Sequence, residues 1–468
     1  MRKGVITMSV AQDRLKERIC GKKVSIIGIG VSNTPVIKQF ASLGALVTAR
    51  DRNPAPISES VQAQFEALGV KLVLGEGYLD NMDDDIVLRT PGMRYDAPAL
   101  QAARARGAEV TSEMELFFEL CPCPIFAVTG SDGKTTTTTL ICEMLTRQGF
   151  KCHKGGNIGT PLLPIIHQIA CSDLAVVELS SFQLHDMTCS PDVAVITNLS
   201  PNHLDYHTDF TEYIEAKANI FRHQTPNDRL VYNNGNATTV GLVNDAPGNR
   251  VAFNWEKSDG CCVYCRDNTV CYVDGSGERE VLKTTDIRLP GKHNIENYMA
   301  AIAAVMDYVD PENIAAVARE FGGVEHRIEF VREIYGVCYY NDSIASSPTR
   351  AAAGLMSFDK QLILIAGGYD KNLDYTEFGS LVCERVKHLI LLGATAQKIY
   401  DAATTSPLYN EASIGITRCE DMEQAVKTAA AVAKKGDIVM LSPASASFDQ
   451  FKNFMERGKK FKDLVNAL

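Results

Sequence analysis

Residues 125–139 read Ile-Phe-Ala-Val-Thr-Gly-Ser-Asp-Gly-Lys-Thr-Thr-Thr-Thr-Thr. An apolar run that stops at turn residues predicts a buried strand, and the polar stretch after the turn predicts the start of a helix. Glycines at 130 and 133 let successive backbone N–H groups converge on one point, while Lys134 and the Thr135 hydroxyl stand at the first helical turn. That combination suits a phosphate chain with its Mg2+, because a helix N-terminus carries partial positive charge and a hydroxyl is a hard ligand. We read the stretch as a shortened phosphate loop for ATP, with Gly130, Ser131, Asp132, Gly133, Lys134, Thr135 and Thr136 as nucleotide contacts. Threonine runs are poor helix material, so packing and phosphate must favour the helix that begins here.

Outward from the loop, Leu174-Ala-Val-Val-Glu178 and Val193-Ala-Val-Ile-Thr197 predict further buried strands of a parallel sheet. Before it, Val24-Ser-Ile-Ile-Gly-Ile-Gly30, a helical stretch through Phe40, and Ala45-Leu-Val-Thr-Ala ending at Asp51 make a strand–turn–helix–strand unit of the doubly wound kind. Asp85-Ile-Val-Leu-Arg and Thr90-Pro-Gly92 continue that unit. After the loop, apolar runs at 361–366, 388–393 and 437–442 predict another such sheet. The fold class is α/β with three domains, as a length of 468 residues suggests at about 150 residues per domain. They are a Rossmann-like N-terminal domain over 1–120, a central P-loop ATPase-like domain with a parallel sheet over 121–323, and a Rossmann-like C-terminal domain over 324–468.

A net charge of -10 argues against a general nucleic-acid binder, which needs lysine and arginine to displace counterions. No apolar run approaches the roughly 18 residues of a membrane span and no signal sequence is visible, so we expect a cytoplasmic protein. The 14 cysteines are scattered, which fits reduced thiols rather than a disulfide framework. Cys261, Cys262, Cys265 and Cys271 cluster in a segment that alternates like a hairpin; a single CxxC is weak evidence for zinc, and ordinary thiols are expected. Gly28-Ile-Gly30, with Asp51 about 20 residues on, is similar to a dinucleotide fingerprint whose third glycine is replaced by Asn33. Taken alone it would support a nicotinamide dehydrogenase; beside the phosphate loop, another nucleotide diphosphate is the more economical ligand.

The order of several motifs resembles that of the Mur ligases. These are the shortened loop, Gly156-Asn-Ile-Gly159, Glu178-Leu-Ser-Ser-Phe-Gln183, Asn198-Leu-Ser-Pro-Asn-His-Leu-Asp205, Glu215-Ala-Lys217, Leu289-Pro-Gly-Lys-His-Asn294, His326-Arg327 and Asn341-Asp-Ser343. The run from Leu441 to Phe454 looks like that of the members that add D-glutamate to UDP-N-acetylmuramoyl-L-alanine. Folylpolyglutamate synthase, or a Mur ligase for a different amino acid, is the alternative; the former lacks the nucleotide-sugar domain that the residues before the loop would form.

The resemblance implies a reaction in which ATP phosphorylates a carboxylate, an amine then attacks the acyl phosphate, and phosphate leaves. It implies Lys134, Glu178, His203 and Lys217 as catalytic residues, with Thr135, Glu178, His203 and a carbamylated Lys217 holding two Mg2+ ions. Asn294, Asn297, Arg327 and Asp342 would hold the adenosine. Ser32, Asp51 and Thr90 would meet the UDP part, Asn157 and Ser346 the substrate, and Lys371, Ser447 and Phe454 the D-glutamate. Ile344 stands where many members carry lysine. A monomer acting on small molecules, with no nucleic-acid or membrane partner, is the expectation.

Overall fold

A computed structural model describes residues 8–30, 32–201, 206–258 and 260–468. Two compact units divide the chain, Met1–Asp286 with Ile295–Ala318, and Ile287–Asn294 with Arg319–Leu468.

The first unit holds two sheets. Strands β1 (Lys23–Ile27), β2 (Leu46–Asp51), β3 (Lys71–Leu74), β4 (Ile86–Leu88) and β5 (Glu109–Thr111) pair in the order β3-β2-β1-β4-β5, all parallel. The order reverses at β1, so the crevice above the ends of β1 and β4 is where a doubly wound sheet takes its ligand. The second sheet comprises β6 (Ile125–Thr129), β7 (Cys152–Gly156), β8 (Leu174–Glu178), β9 (Val193–Ile196), β10 (Arg229–Asn233), β11 (Asn249–Asn254), β12 (Cys261–Arg266), β13 (Thr269–Asp274) and β14 (Gly277–Lys283). Their order is β14-β13-β12-β11-β10-β9-β6-β8-β7. β6, β8 and β9 are buried along their whole length, which is why they read as unbroken apolar runs. The sequence did not announce β10, β11 and β14, which mix polar and apolar residues because they form part of the less covered flank. The hairpin expected around the cysteines is β12–β13, antiparallel with Tyr264 opposite Cys271. Cys261 and Cys271 pack there with Tyr264 as core, and no disulfide joins any of the described cysteines.

The second unit holds β15 (Glu329–Ile334), β16 (Val337–Asn341), β17 (Leu362–Ala366), β18 (Val386–Leu391), β19 (Gly415–Arg418) and β20 (Ile438–Leu441). They pair as β15-β16-β20-β17-β18-β19, parallel except for the β15–β16 hairpin. β17, fully buried, lies in the middle. Among the described residues no helix is long and apolar enough to cross a membrane.

A polar seam ties the five-stranded sheet to the segments beside the nine-stranded one. Arg89, at the end of β4 and only 2% exposed, donates from Nε to both carboxylate oxygens of Asp186 at 3.0 Å and from Nη2 to the Phe182 carbonyl at 3.0 Å. Arg94 forks onto Asp96 and Glu212, at 2.9 Å and 2.8 Å. His185 and His207 also face Glu212, at 3.4 Å and 3.6 Å. The trio has metal-ligand chemistry, but Arg94 and the Thr208 amide already occupy the Glu212 oxygens, so an ion-pair cluster explains it. Hydrogen bonds from Arg94 hold the Glu212 carboxyl down to about 2. Burial, and then the neighbouring His185, push His207 down to about 4.

Asp186→Ala should strand the Arg89 charge in the interior and cost about 3 kcal/mol, read as a lower urea midpoint at unchanged slope. For His207 the unfolded state binds the extra proton between about pH 4 and 6.5, so stability should rise with pH across that window. The part due to this one group is on the order of 2 kcal/mol between pH 5 and 7. His207→Gln should flatten the dependence of melting temperature on pH there; an unaltered profile would remove His207 as its cause.

Candidate functional site

Between the end of β6 and the helix Lys134–Gln148 the chain turns in four residues. Gly130 has φ 147° and Gly133 φ 78°; a Cβ on the first would strike Thr197 Oγ1, and one on the second Asn297 Oδ1. Only glycine fits at both. The loop is propped from the segment after β9. The amides of Ser131 and Asp132 donate to the backbone oxygen and to Oδ1 of Asn198, at 2.9 Å and 3.0 Å. Thr197 Oγ1 donates to the Asp132 carbonyl at 2.6 Å, and Ser131 Oγ lies 2.9 Å from the Tyr213 hydroxyl. Two loop amides are thus committed to scaffolding. In the first turn of the helix, the amides of Thr135 and Thr136 have no carbonyl four residues back within the helix to bond. Thr137 and Thr138 are fully buried, and the Thr137 hydroxyl donates to Asn297 Oδ1 at 3.3 Å, so packing holds the threonine helix.

Two lysines converge on this loop. Lys134 Nζ donates to the carbonyls of Gly130 and Ser131, at 2.9 Å and 2.7 Å. Lys217, from the helix Phe210–Arg222, is 1% exposed. Its Nζ donates to Thr129 Oγ1 at 3.0 Å and to the Gly130 carbonyl at 2.9 Å, and sits 4.9 Å from the Tyr213 ring centre. Burial first, and then the charge of Lys134, push its pKa well below that of an ordinary lysine, against the pull of Glu178 and Asp132. Both acceptors are neutral oxygens, so neither hydrogen bond offsets the cost of burying a charge on this amine.

Glu178 ends β8 and is 2% exposed. Its Oε1 accepts from Asn157 Nδ2 at 2.7 Å, and the Asn157 amide bonds back to the Glu178 carbonyl at 2.8 Å. Its Oε2 is buried with no hydrogen-bond partner among the described residues. An unsatisfied buried carboxylate oxygen is costly and fits a hard cation, for which the Thr135 hydroxyl is a suitable co-ligand. His203 lies outside the described residues.

The nucleotide-sugar candidates occupy the ends of β1, β2 and β4. Asp51 accepts from the amides of Ile29 and Asn53, at 2.6 Å and 2.8 Å, and Asn33 Nδ2 donates to the carbonyls of Ile27 and Gly28. The asparagine in the place of a third glycine therefore clamps the turn. Thr90 sits against Gly28, and Ser32 is exposed at the start of the helix Asn33–Ser42.

In the second unit, Asn294 donates to the Pro290 carbonyl at 2.6 Å. Arg327 is flanked by His326 and Ile328, both with positive φ, at 67° and 44°. A β-branched residue there is strained, and Asp342 holds the strained turn by accepting from the Ile328 amide at 3.2 Å. Asp342 also accepts from Ser442 Oγ at 2.7 Å, and burial pushes its carboxyl up to about 7. Lys371 is exposed, with Nζ 5.9 Å from the ring centre of Phe448, the residue after buried Ser447. Phe448 and Tyr369 form an edge-on aromatic pair beside them. Ser346 follows β16, and Phe454 begins the helix Phe454–Asn466 with its ring edge-on to His326. Sequence reasoning missed Asn198 and Arg457: the first lay inside a quoted motif without a role, and the second among the charges of Glu-Arg-Gly-Lys-Lys.

Comparison with known proteins identifies the family. Residues 128–305 match the Mur ligase middle domain, and residues 326–445 match the Mur ligase glutamate ligase domain. The chain is 53% identical over 464 residues to the UDP-N-acetylmuramoylalanine--D-glutamate ligase of Acetivibrio thermocellus, covering 98% of this chain and 100% of that one. The enzyme of the same name from Ruminiclostridium cellulolyticum is 48% identical, over 97% and 99%. Among solved structures, the fold is that of the UDP-N-acetylmuramate-alanine ligase of Thermotoga maritima, with a TM-score of 0.57 at 18% identity over 95% and 99% of the two chains. The MurF ligase of the same organism, solved with ADP, aligns with a TM-score of 0.54 at 18% identity, over 97% of each chain. On sequence and fold together, the chain belongs to the Mur ligase family.

Proposed function

We propose that this chain uses ATP to join D-glutamate to UDP-N-acetylmuramoyl-L-alanine through an acyl phosphate, as a cytoplasmic monomer. The observation that carries the chemistry is the buried amine of Lys217 beneath a phosphate loop, close to a buried carboxylate with an unpartnered oxygen. The identity to the D-glutamate ligases supports the choice of amine. The domain extents 1–120, 121–323 and 324–468 are part of this reading.

A carboxylate oxygen of the substrate attacks the γ-phosphorus, the bond to the β-bridging oxygen breaks, and ADP leaves. The amine of D-glutamate then attacks the acyl carbon, the acyl C–O bond breaks, phosphate leaves, and the amine gives up its proton. Phosphoryl transfer of this kind needs positioning and cations more than covalent help. Lys134 leaves the loop carbonyls for the outer phosphates, beside Gly130, Ser131, Asp132, Gly133, Thr135 and Thr136. Asn294, Asn297, Arg327 and Asp342 take the adenosine, and Ser32, Asp51 and Thr90 the uridine diphosphate. Asn157 and Ser346 orient the acyl substrate; Lys371, Ser447 and Phe454 bind the amino acid. Thr135, Glu178, His203 and a carbamylated Lys217 would hold two Mg2+ ions, which supply charge neutralisation at the phosphates. The deprotonated amine of Lys217 forms the carbamate by attacking the carbon of CO2 and losing a proton, so a buried amine becomes an anionic oxygen ligand.

Phosphate release should require the nucleotide substrate and D-glutamate together, and equal turnover with L-lysine or diaminopimelate would sink the amine assignment. Protein exposed to 13CO2 with Mg2+ should give one slowly exchanging carbamate carbon signal by NMR, absent from Lys217→Ala. A signal that persists in that variant would remove Lys217 from the metal site.

A further inference from the structure

Arg457 lies one turn beyond Phe454 and is 2% exposed. Its guanidinium meets only neutral oxygens. Nε donates to Ser343 Oγ at 3.0 Å, Nη2 to the Ser343 carbonyl at 2.8 Å, and Nη1 to the carbonyls of Ser445 and Ala446, each at 3.0 Å. Asp342 and Asp449 act on it as nearby charges without an ion pair among the described residues. Removing one of two paired charges from a protein interior is costly, and so is burying a cation that has no partner at all. The guanidinium satisfies buried oxygens that an apolar side chain would leave without donors, but no partner bonded to it cancels its charge.

The network reaches the amino-acid candidates from three sides. Ser343 Oγ, which accepts from Arg457, donates to the Phe454 carbonyl at 2.8 Å. The carbonyls of Ser445 and Ala446, immediately before Ser447, are held by Nη1. The backbone of Gly368, in the loop that leads to Lys371, comes so near that a Cβ there would lie 3.2 Å from Nη1. One cation therefore underlies the segments that carry Ser447, Phe454 and Lys371, with its charge uncancelled by direct contact.

We propose that Arg457 is a positioning residue of the amino-acid pocket, which fixes Ser447 and Phe454 and makes the pocket select an amino acid with a second carboxylate. The inference rests on the assignment of Ser447, Phe454 and Lys371 to the amino acid. Arg457 acts through its neighbours and through its potential, which a low-dielectric interior screens weakly.

The test compares the full-length wild type with Arg457→Met, which keeps bulk without charge, and Arg457→Lys, which keeps charge without the fork. KM for D-glutamate should rise at least tenfold in Arg457→Met and less in Arg457→Lys, with kcat and the KM for ATP within about twofold. The affinity ratio of D-glutamate to D-glutamine, measured by competition, should fall in Arg457→Met. A purely structural role would weaken both amino acids equally, and an unchanged ratio in the folded variant overturns the proposal. If Arg457→Met does not fold, Ser343→Ala cuts the link to Phe454 and should raise the D-glutamate KM several-fold; an unchanged KM is equally fatal. A wild type that does not use D-glutamate sinks the pocket assignment, and this inference with it, before any variant is compared.

Discussion

The Gly130 carbonyl accepts from two lysines, Lys134 at one side and buried Lys217 at the other, each at 2.9 Å. Burial first, and then the nearby charge of Lys134, disfavour the charged form of Lys217 and hold its pKa well below that of an ordinary lysine. Gly130 has a φ of 147°, which residues with a Cβ rarely adopt, and Thr197 and Asn198 close over the position a side chain would have taken. The loop is thereby anchored to both β6 and the segment after β9 before any phosphate arrives. Preorganisation of this sort removes the cost of ordering the loop at the moment of binding.

The loop itself was plain in the sequence because its function is local: strand, turn and helix start occupy 125–139 without interruption. The buried strands β6, β8 and β9 were equally legible, since a strand covered on both faces has no polar period to confuse it. Of the flank β10 to β14 only the cysteine hairpin β12–β13 was legible, because partial cover elsewhere lets polar residues intervene and blurs the run. Glu178 could be suspected from its place at the end of an apolar strand, whereas Lys217 was singled out only by the resemblance to the Mur ligases and not by its own surroundings in the sequence. Its helix Phe210–Arg222 carries Glu212, Glu215 and Arg222 around it, and only the fold reveals that Lys217 alone of these charged residues is buried.

The supports of the site were hidden for a related reason. Asn198 acts through its backbone oxygen and its amide at once, a role that any exposed asparagine of a turn could have in a bare sequence. Asp51, a ribose candidate in the sequence, also accepts from the amide of Ile29 in the turn after β1 and from that of Asn53 in its own turn. Asp342 likewise serves the strained turn at Arg327 while its carboxyl is pushed up by burial. In each case a polar side chain satisfies the backbone first and can meet a ligand second, and hydrogen bonds across long sequence separations leave no local pattern.

The two halves of the chemistry therefore differ in how their specificity is written. In the proposed mechanism phosphates meet a backbone turn and a helix terminus, so the loop tolerates little change and says little about the substrate. The amino-acid pocket proposed above draws on three separated segments, around Ser343, around Lys371 and from Ser445 to Arg457, joined through the guanidinium of one buried arginine. Side chains rather than backbone decide its polarity, so a few substitutions there could redirect the amine without disturbing the nucleotide. An uncompensated buried cation is a costly way to join three segments, and selection for a dicarboxylate gives that cost a purpose which packing alone does not.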